Sequence, residues 1–217
     1  MSGRAFSIAF VCSGNRFRSP LACVFVKRLT LGLPVEVVTA GTLEIDGARA
    51  LPEAREIATL CGLDLADHRA RPLSRLSLKG THLVIGFEEE HVRRAIVDAG
   101  AELANSFTFR EFSRLLRGTG LSVGAKSVDR AREVVALAAE RRSAGPRVRG
   151  GLDDVPDPFG RGWKVYRDTA VEIRELSLQL AEELFGVTDT RTLPTVPERI
   201  GLWRPRFRRF RGRRSIR

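Results

Sequence analysis

No apolar run in this chain of 217 residues approaches the roughly 20 residues needed to cross a bilayer. Cysteine is scarce, and its spacing excludes several chemistries. Cys12, Cys23 and Cys61 form no C-x-x-C pair, and neither they nor the three histidines show a zinc-like spacing. An odd number of thiols also argues against a disulfide framework. A secretory layout is missing too: Arg4 is followed by a short apolar run that Cys12 and Gly14 end without a small-residue cleavage site. The expectation is a cytoplasmic protein. Acid is absent from residues 204–217, "RPRFRRFRGRRSIR", which hold eight arginines of a chain whose net charge is +11. The basicity is mostly a property of this tail, so the high pI does not indicate a nucleic-acid-binding fold.

What is present alternates between two periodicities. "AFSIAFV" (5–11) has the length and composition of a buried strand, and "PVEVVTA" (34–40) and "THLVIGF" (81–87) follow it, with "SFTF" (106–109) as a short fourth. Helical spacing appears from Pro20 to about Leu31, at 51–61, over the acidic-start, glycine-stop segment "EEEHVRRAIVDAG", at 128–143 and from about 166 to 185 before Gly186. Strands separated by helices predict an α/β domain with a parallel sheet over residues 1–186. The region 118–150 stands outside the pattern, with loop signals on either side of its helix, and the Thr/Pro-rich segment 187–203 reads as a linker to the tail. Cys23 and Cys61, on apolar helix-like faces, read as core residues.

Cys12 is different. It stands at the carboxyl end of the first strand, where ligands of open α/β sheets bind, and Arg18 follows after five residues. A nucleophilic thiol acts as the anion, so its surroundings must be positive. Ser19 as N-cap and Pro20 as first helical residue would place a helix N-terminus beside the sulfur, and Arg18 adds a permanent planar cation. The Ser19 hydroxyl can donate to the sulfur. The intervening Ser13, Gly14, Asn15, Arg16 and Phe17 must curl with N–H groups turned inward, and Gly14 and Asn15 tolerate the left-handed backbone this needs. Such a ring of donors suits three phosphate oxygens, two of which Arg18 can hold as a fork.

"VCSGNRFRSP" resembles the active-site loop of the low-molecular-weight protein tyrosine phosphatases, V-C-x-G-N-x-C-R-S-P. "TAGT" (39–42), "DHRAR" (67–71), "LVIGFEEEH" (83–91) and "DPFG" (157–160) match further segments in family order, so the resemblance spans 5–186 with 118–150 as a longer interruption. It implies a flavodoxin-like, four-stranded parallel sheet and an enzyme that hydrolyses protein phosphotyrosine through a cysteinyl-phosphate, without metal or cofactor. Cys12 would be the nucleophile, Arg18 the oxyanion partner and Asp157 the general acid. Asp157 is also the carboxylate clamped between Pro156 and Pro158. Asn15, Ser19, Thr39 and His68 match the positions that hold the loop. His82 and His91 carry no assignment and look structural or exposed.

Several residues depart from the family pattern. Phe17 replaces a frequent second cysteine that can trap the nucleophile as a disulfide. Arg16 replaces a commonly apolar residue and makes the mouth more positive. Phe159 stands where tyrosine is common and would line the substrate wall, while "LEIDGAR" (43–49) lacks the usual aromatic of the opposite wall. A rival of the same fold, thioredoxin-linked arsenate reductase, needs two later cysteines, and 62–217 has none. A catalytically silent phosphate-binding module is the non-enzymatic alternative. The implied partner is a phosphotyrosyl protein such as a membrane-associated tyrosine kinase. The tail interleaves Trp203, Phe207 and Phe210 with arginine, which suits a membrane-peripheral contact with anionic lipid, and nucleic acid would satisfy the same charges.

Overall fold

The structure is a computed structural model describing residues 5–117, 128–145 and 151–198. Four parallel strands, β1 (Phe6–Cys12), β2 (Val35–Gly41), β3 (Leu83–Gly86) and β4 (Ser106–Thr108), form one sheet in the order β2-β1-β3-β4. Successive β1 side chains face opposite layers, as a period of two requires. Phe6, Ile8, Phe10 and Cys12 join the larger core, and Ala9 and Val11 the smaller one. Helices α1 (Arg18–Leu29), α2 (Pro52–Leu60), α4 (Phe109–Leu116), α5 (Val128–Ala144) and α6 (Trp163–Phe185) contribute to the larger layer. The opposite layer is closed by α3 (Glu89–Ala99), through Ala95 and Ala99. The chain goes from β1 to β2 on one side and later to β3 on the other. The strand order therefore diverges at the carboxyl end of β1, which is Cys12.

The expected α/β architecture with four parallel strands is therefore present, with three local differences. The fourth strand stops at Thr108, and α4 follows at once. The sequence signal for it is T-x-x-E: Glu111 N–H donates to Thr108 Oγ1 and Thr108 N–H to Glu111 Oε2, both at 3.3 Å. The helix in the 118–150 region is no appendage. Ala131, Val134, Val135 and Ala138 recur at helical spacing and are buried in the main core, and Arg142 stacks on Phe107 while donating to Ser106 O at 2.6 Å. Its flanking segments, 118–127 and 146–150, lie outside the described residues.

The third difference concerns the expected linker. Residues 187–198 run back along α6 as a packed strap, with Leu193 and Val196 buried. Arg174, itself buried in α6, donates to Leu193 O at 2.6 Å and Pro194 O at 2.9 Å, and Arg167 donates to Pro197 O at 3.0 Å. Composition suggested a linker because Thr and Pro are plentiful, yet two apolar side chains and an arginine clamp suffice to seat the segment. The basic tail lies outside the described residues. Among the described residues no helix is long and apolar enough to cross a membrane.

Candidate active site

Residues 13–17 leave β1 and turn into α1 in a loop whose carbonyls and amides are used unequally. Cys12 O accepts from Thr42 N–H, Ser13 O from Leu43 N–H and Arg16 O from Leu51 N–H, at 2.8–2.9 Å. Asn15 O accepts from His68 Nε2 at 2.8 Å. Among the described residues, no N–H of 13–17 has a protein partner in return. The outward carbonyls are satisfied and the amides are left for a ligand, which is the electrostatic character of an anion nest. Close packing on β2 supports the turn. A Cβ on Gly41 would lie 2.8 Å from Ser13 O and 3.0 Å from Asn15 N, so only glycine fits there without moving the loop.

Asn15 carries the strain of the turn, with φ at 50°. Its fully buried side chain holds it there: Oδ1 accepts from Arg71 N–H at 3.0 Å and Nδ2 donates to Ser19 Oγ at 2.8 Å. Burial lowers the His68 pKa below its ordinary value, which keeps the ring neutral with its Nε2 proton on Asn15 O. Ser19 is not the helix cap. Helix α1 starts at Arg18 with Phe17 in the cap position and no side-chain cap, so the Ser19 hydroxyl is free for other work. It lies 3.0 Å from Cys12 Sγ and accepts from Asn15 Nδ2, so its own proton is available to a thiolate at that position. Cys12 is 2% exposed.

Arg18 is the largest fully buried side chain among the described residues, at 1% exposure. Its Nη1 pairs with Glu88 and donates to Val155 O at 2.9 Å. Nη2 donates to Ser13 Oγ at 2.9 Å and to Asp157 Oδ2 at 2.7 Å. Asp157 thus reaches the same guanidinium edge as the loop, from a segment pinned by Val155 N–H on Phe87 O and Gly160 N–H on Tyr166 Oη. Its other oxygen accepts from Phe159 N–H at 3.1 Å. Asp153 pairs instead with Arg114, and Asp154 accepts from Glu89 N–H, so both neighbouring carboxylates are engaged in the scaffold. Phe159 is 65% exposed beside Asp157. Arg16 is half-buried and its Nε donates to Arg49 O at 3.0 Å across the rim.

Cys12, Ser13, Asn15, Arg18, Ser19, His68 and Asp157 therefore come together, and Gly14, Arg16 and Phe17 complete the loop. Phe17 turns its ring into the core, edge-on to Tyr166 at 5.0 Å, so only its backbone is available to a ligand. Thr39 departs from expectation. It lies half-buried in β2, opposite Phe10, and its hydroxyl makes no hydrogen bond to the loop among the described residues. The strand register places it two residues short of Gly41, where the loop packs. Glu88 and His91 carry no assignment from the sequence, although both sit in "LVIGFEEEH". Glu88 pairs with Arg18. His91 is buried rather than exposed, with Nδ1 3.0 Å from Glu88 N and Nε2 3.0 Å from Ser13 Oγ. Burial first, then Arg18, lowers its pKa to about 3. Cys23 and Cys61 are buried, and burial pushes both thiols up. Among the described residues no three His, Cys, Asp or Glu side chains are grouped to hold a metal ion.

The arrangement offers a buried sulfur, a set of unpaired amides, a fixed guanidinium and a carboxylate on one rim. Comparison with known proteins agrees with it. Residues 7–124 match the family model of the low molecular weight phosphotyrosine protein phosphatases. A protein-arginine-phosphatase of Bacillus subtilis is 27% identical over 179 residues, 82% of this chain and 95% of the relative. The solved low molecular weight protein tyrosine phosphatase of T. tengcongensis is 30% identical, with a TM-score of 0.59 over 83% of this chain and all of that one. The YwlE arginine phosphatase, solved as a mutant with a phosphorylated active-site serine, is 27% identical with a TM-score of 0.59, covering 86% of this chain and 99% of its own.

Proposed function

The chain belongs to the low molecular weight phosphotyrosine protein phosphatase family, and on that premise we propose that this phosphatase acts on phosphotyrosine in proteins. In this reading a phosphoryl dianion enters the amide nest and displaces Asp157 from Arg18 Nη2, while Nη1 stays fixed by Glu88 and Val155 O. Cys12 thiolate attacks phosphorus, and the phosphorus–oxygen bond to the phenol breaks. Asp157, released from Arg18, carries the proton given up by the Cys12 thiol to the leaving oxygen, then takes one from the water that hydrolyses the cysteinyl-phosphate. The amides and Arg18 stabilise the equatorial oxygens in both steps. The Ser19 proton on Sγ favours the thiolate.

Arg16 is the observation that carries the choice of tyrosine. The family relatives include both tyrosine and arginine phosphatases, and these differ in the group next to phosphorus: a phenol gathers negative charge as the bond breaks, whereas the guanidino group of phosphoarginine carries a positive charge when it binds. A cation at the mouth favours the first and opposes the second, by roughly 1–3 kcal/mol at the dielectric of a protein rim. Arginine phosphatase activity is the second reading, favoured by the full-length similarity to the Bacillus subtilis relative. The test is kcat/KM on matched phosphotyrosyl and phosphoarginyl peptides with wild type, Cys12→Ser, Asp157→Ala and Arg16→Ala. Phosphotyrosine is expected to be preferred, Cys12→Ser to be inactive, and Arg16→Ala to narrow the preference. Asp157→Ala is expected to lose about 10²–10⁴-fold on poor leaving groups and less on acidic phenols. Faster phosphoarginine turnover, unchanged by Arg16→Ala, would overturn the tyrosine reading.

A further inference from the structure

The nest and Arg18 do not account for one buried polar contact. His91, 1% exposed, touches no ligand position directly, yet its ring spans from the α3 start to the first loop residue. Its Nδ1 lies 3.0 Å from Glu88 N, which can only donate, so Nδ1 carries a lone pair. The neutral ring must then hold its proton on Nε2 and donate it to Ser13 Oγ, 3.0 Å away. Arg18 Nη2, which has no lone pair to offer, donates to the same oxygen at 2.9 Å. Both acceptor positions of the hydroxyl are filled, and its direction is thereby set. The Ser13 proton has no acceptor among the described residues. It sits beside the Nη2 group that donates to Asp157, at the place where, in the reading above, a phosphoryl oxygen would replace the carboxylate.

We propose that His91 is a positioning residue that keeps Ser13 Oγ an acceptor for Arg18 and so leaves the Ser13 proton for an oxygen of the bound phosphoryl group. This rests on the reading of the loop as a phosphoryl cradle. Ser13 thereby adds a side-chain donor to the backbone amides, and Arg18 is held at both ends, by Glu88 at Nη1 and by Ser13 at Nη2. A histidine suits the task because its two nitrogens face different ways, one toward the helix start and one toward the loop, each 3.0 Å from its partner, and because the protonation of one is dictated by the partner of the other.

The test is a double-mutant cycle read as competitive inhibition by inorganic phosphate, alongside kcat and KM for an aryl phosphate and thermal unfolding of each variant. Ser13→Ala is expected to weaken phosphate binding roughly tenfold, the order of one hydrogen bond to a charged group. His91→Leu is expected to weaken it several-fold in the wild-type background but less than about twofold in the Ser13→Ala background, because its partner is then gone. His91→Gln, whose amide can still donate to Ser13, is expected to retain most of the affinity. Equal losses from His91→Leu in both backgrounds would show that His91 acts through the fold alone and would overturn the proposal, as would unchanged phosphate affinity in Ser13→Ala. A wild-type chain that neither binds phosphate nor hydrolyses aryl phosphates would overturn the phosphatase reading and this inference together.

Discussion

Acidification should destabilise this protein, and the share due to His91 can be worked out. The ring is buried with Arg18 on one side and Asp157 and Glu90 nearby, and its pKa is about 3 in the fold against 6.5 ordinarily. Between these values the unfolded chain binds a proton that the folded chain refuses. Stability from this group is therefore complete above about pH 6.5 and is lost as pH falls toward about 3. Each pH unit within that window costs about 1.4 kcal/mol, so moving from pH 8 to pH 5 removes about 2 kcal/mol. That is a substantial part of the stability of an ordinary domain. The assay is urea unfolding of wild type and His91→Gln at several pH values. His68 and His82 are also lowered by burial, and Glu111 and Asp154 are raised by it, with the opposite sign. All four titrate in both proteins and cancel in the difference. The stability advantage of wild type over His91→Gln should shrink by about 2 kcal/mol between pH 8 and pH 5. A difference that stays constant over that range would refute the assignment of His91 as a neutral, buried donor.

Leu193→Ala should lower stability by about 2–4 kcal/mol, because Leu193 is the fully buried side chain by which the strap is seated, while Leu152→Ala, at a side chain 72% exposed, should change little; indistinguishable urea midpoints would restore the linker reading. Gly41→Ala should reduce kcat/KM more than tenfold with little unfolding, since its Cβ would meet three backbone atoms of the loop at 2.8–3.0 Å and displace the amides; normal kinetics would show that the loop position is uncritical. Brief peroxide treatment should inactivate Cys12 with poor recovery on reduction, because Phe17 offers no thiol and Cys23 and Cys61 are buried with raised thiol pKa values. Full recovery with a mapped Cys12–Cys23 or Cys12–Cys61 disulfide would contradict this. Phe17→Cys is not a neutral way to supply that thiol, since it removes a ring packed on Tyr166 and should cost about 2–4 kcal/mol by thermal or urea unfolding.

The alternation of strand and helix patterns determines the parallel sheet, because side-chain periods of two and of about 3.6 are properties of neighbouring residues. The same holds for the Cys12–Arg18 loop, whose turn residues and helix start lie within nine positions. Local spacing also marks α4, through Thr108 and Glu111, though the short strand before it hides the boundary. What sequence could not decide is which distant groups share one charge. Arg18 is 70 residues from Glu88 and 139 from Asp157, and only packing brings both carboxylates to its two ends. His91 looks like any polar residue at a helix start until the helix places Nε2 on a loop 78 residues away. Thr39 lies in a matching motif, but register sets it two residues from the contact. Composition does not reveal the strap because it reports polarity, whereas burial depends on whether a complementary surface waits, and α6 provides one in Arg174. Short-range backbone preference is written along the chain. Pairing of buried charges and seating of a segment depend on long-range contacts that form only when the tertiary structure closes.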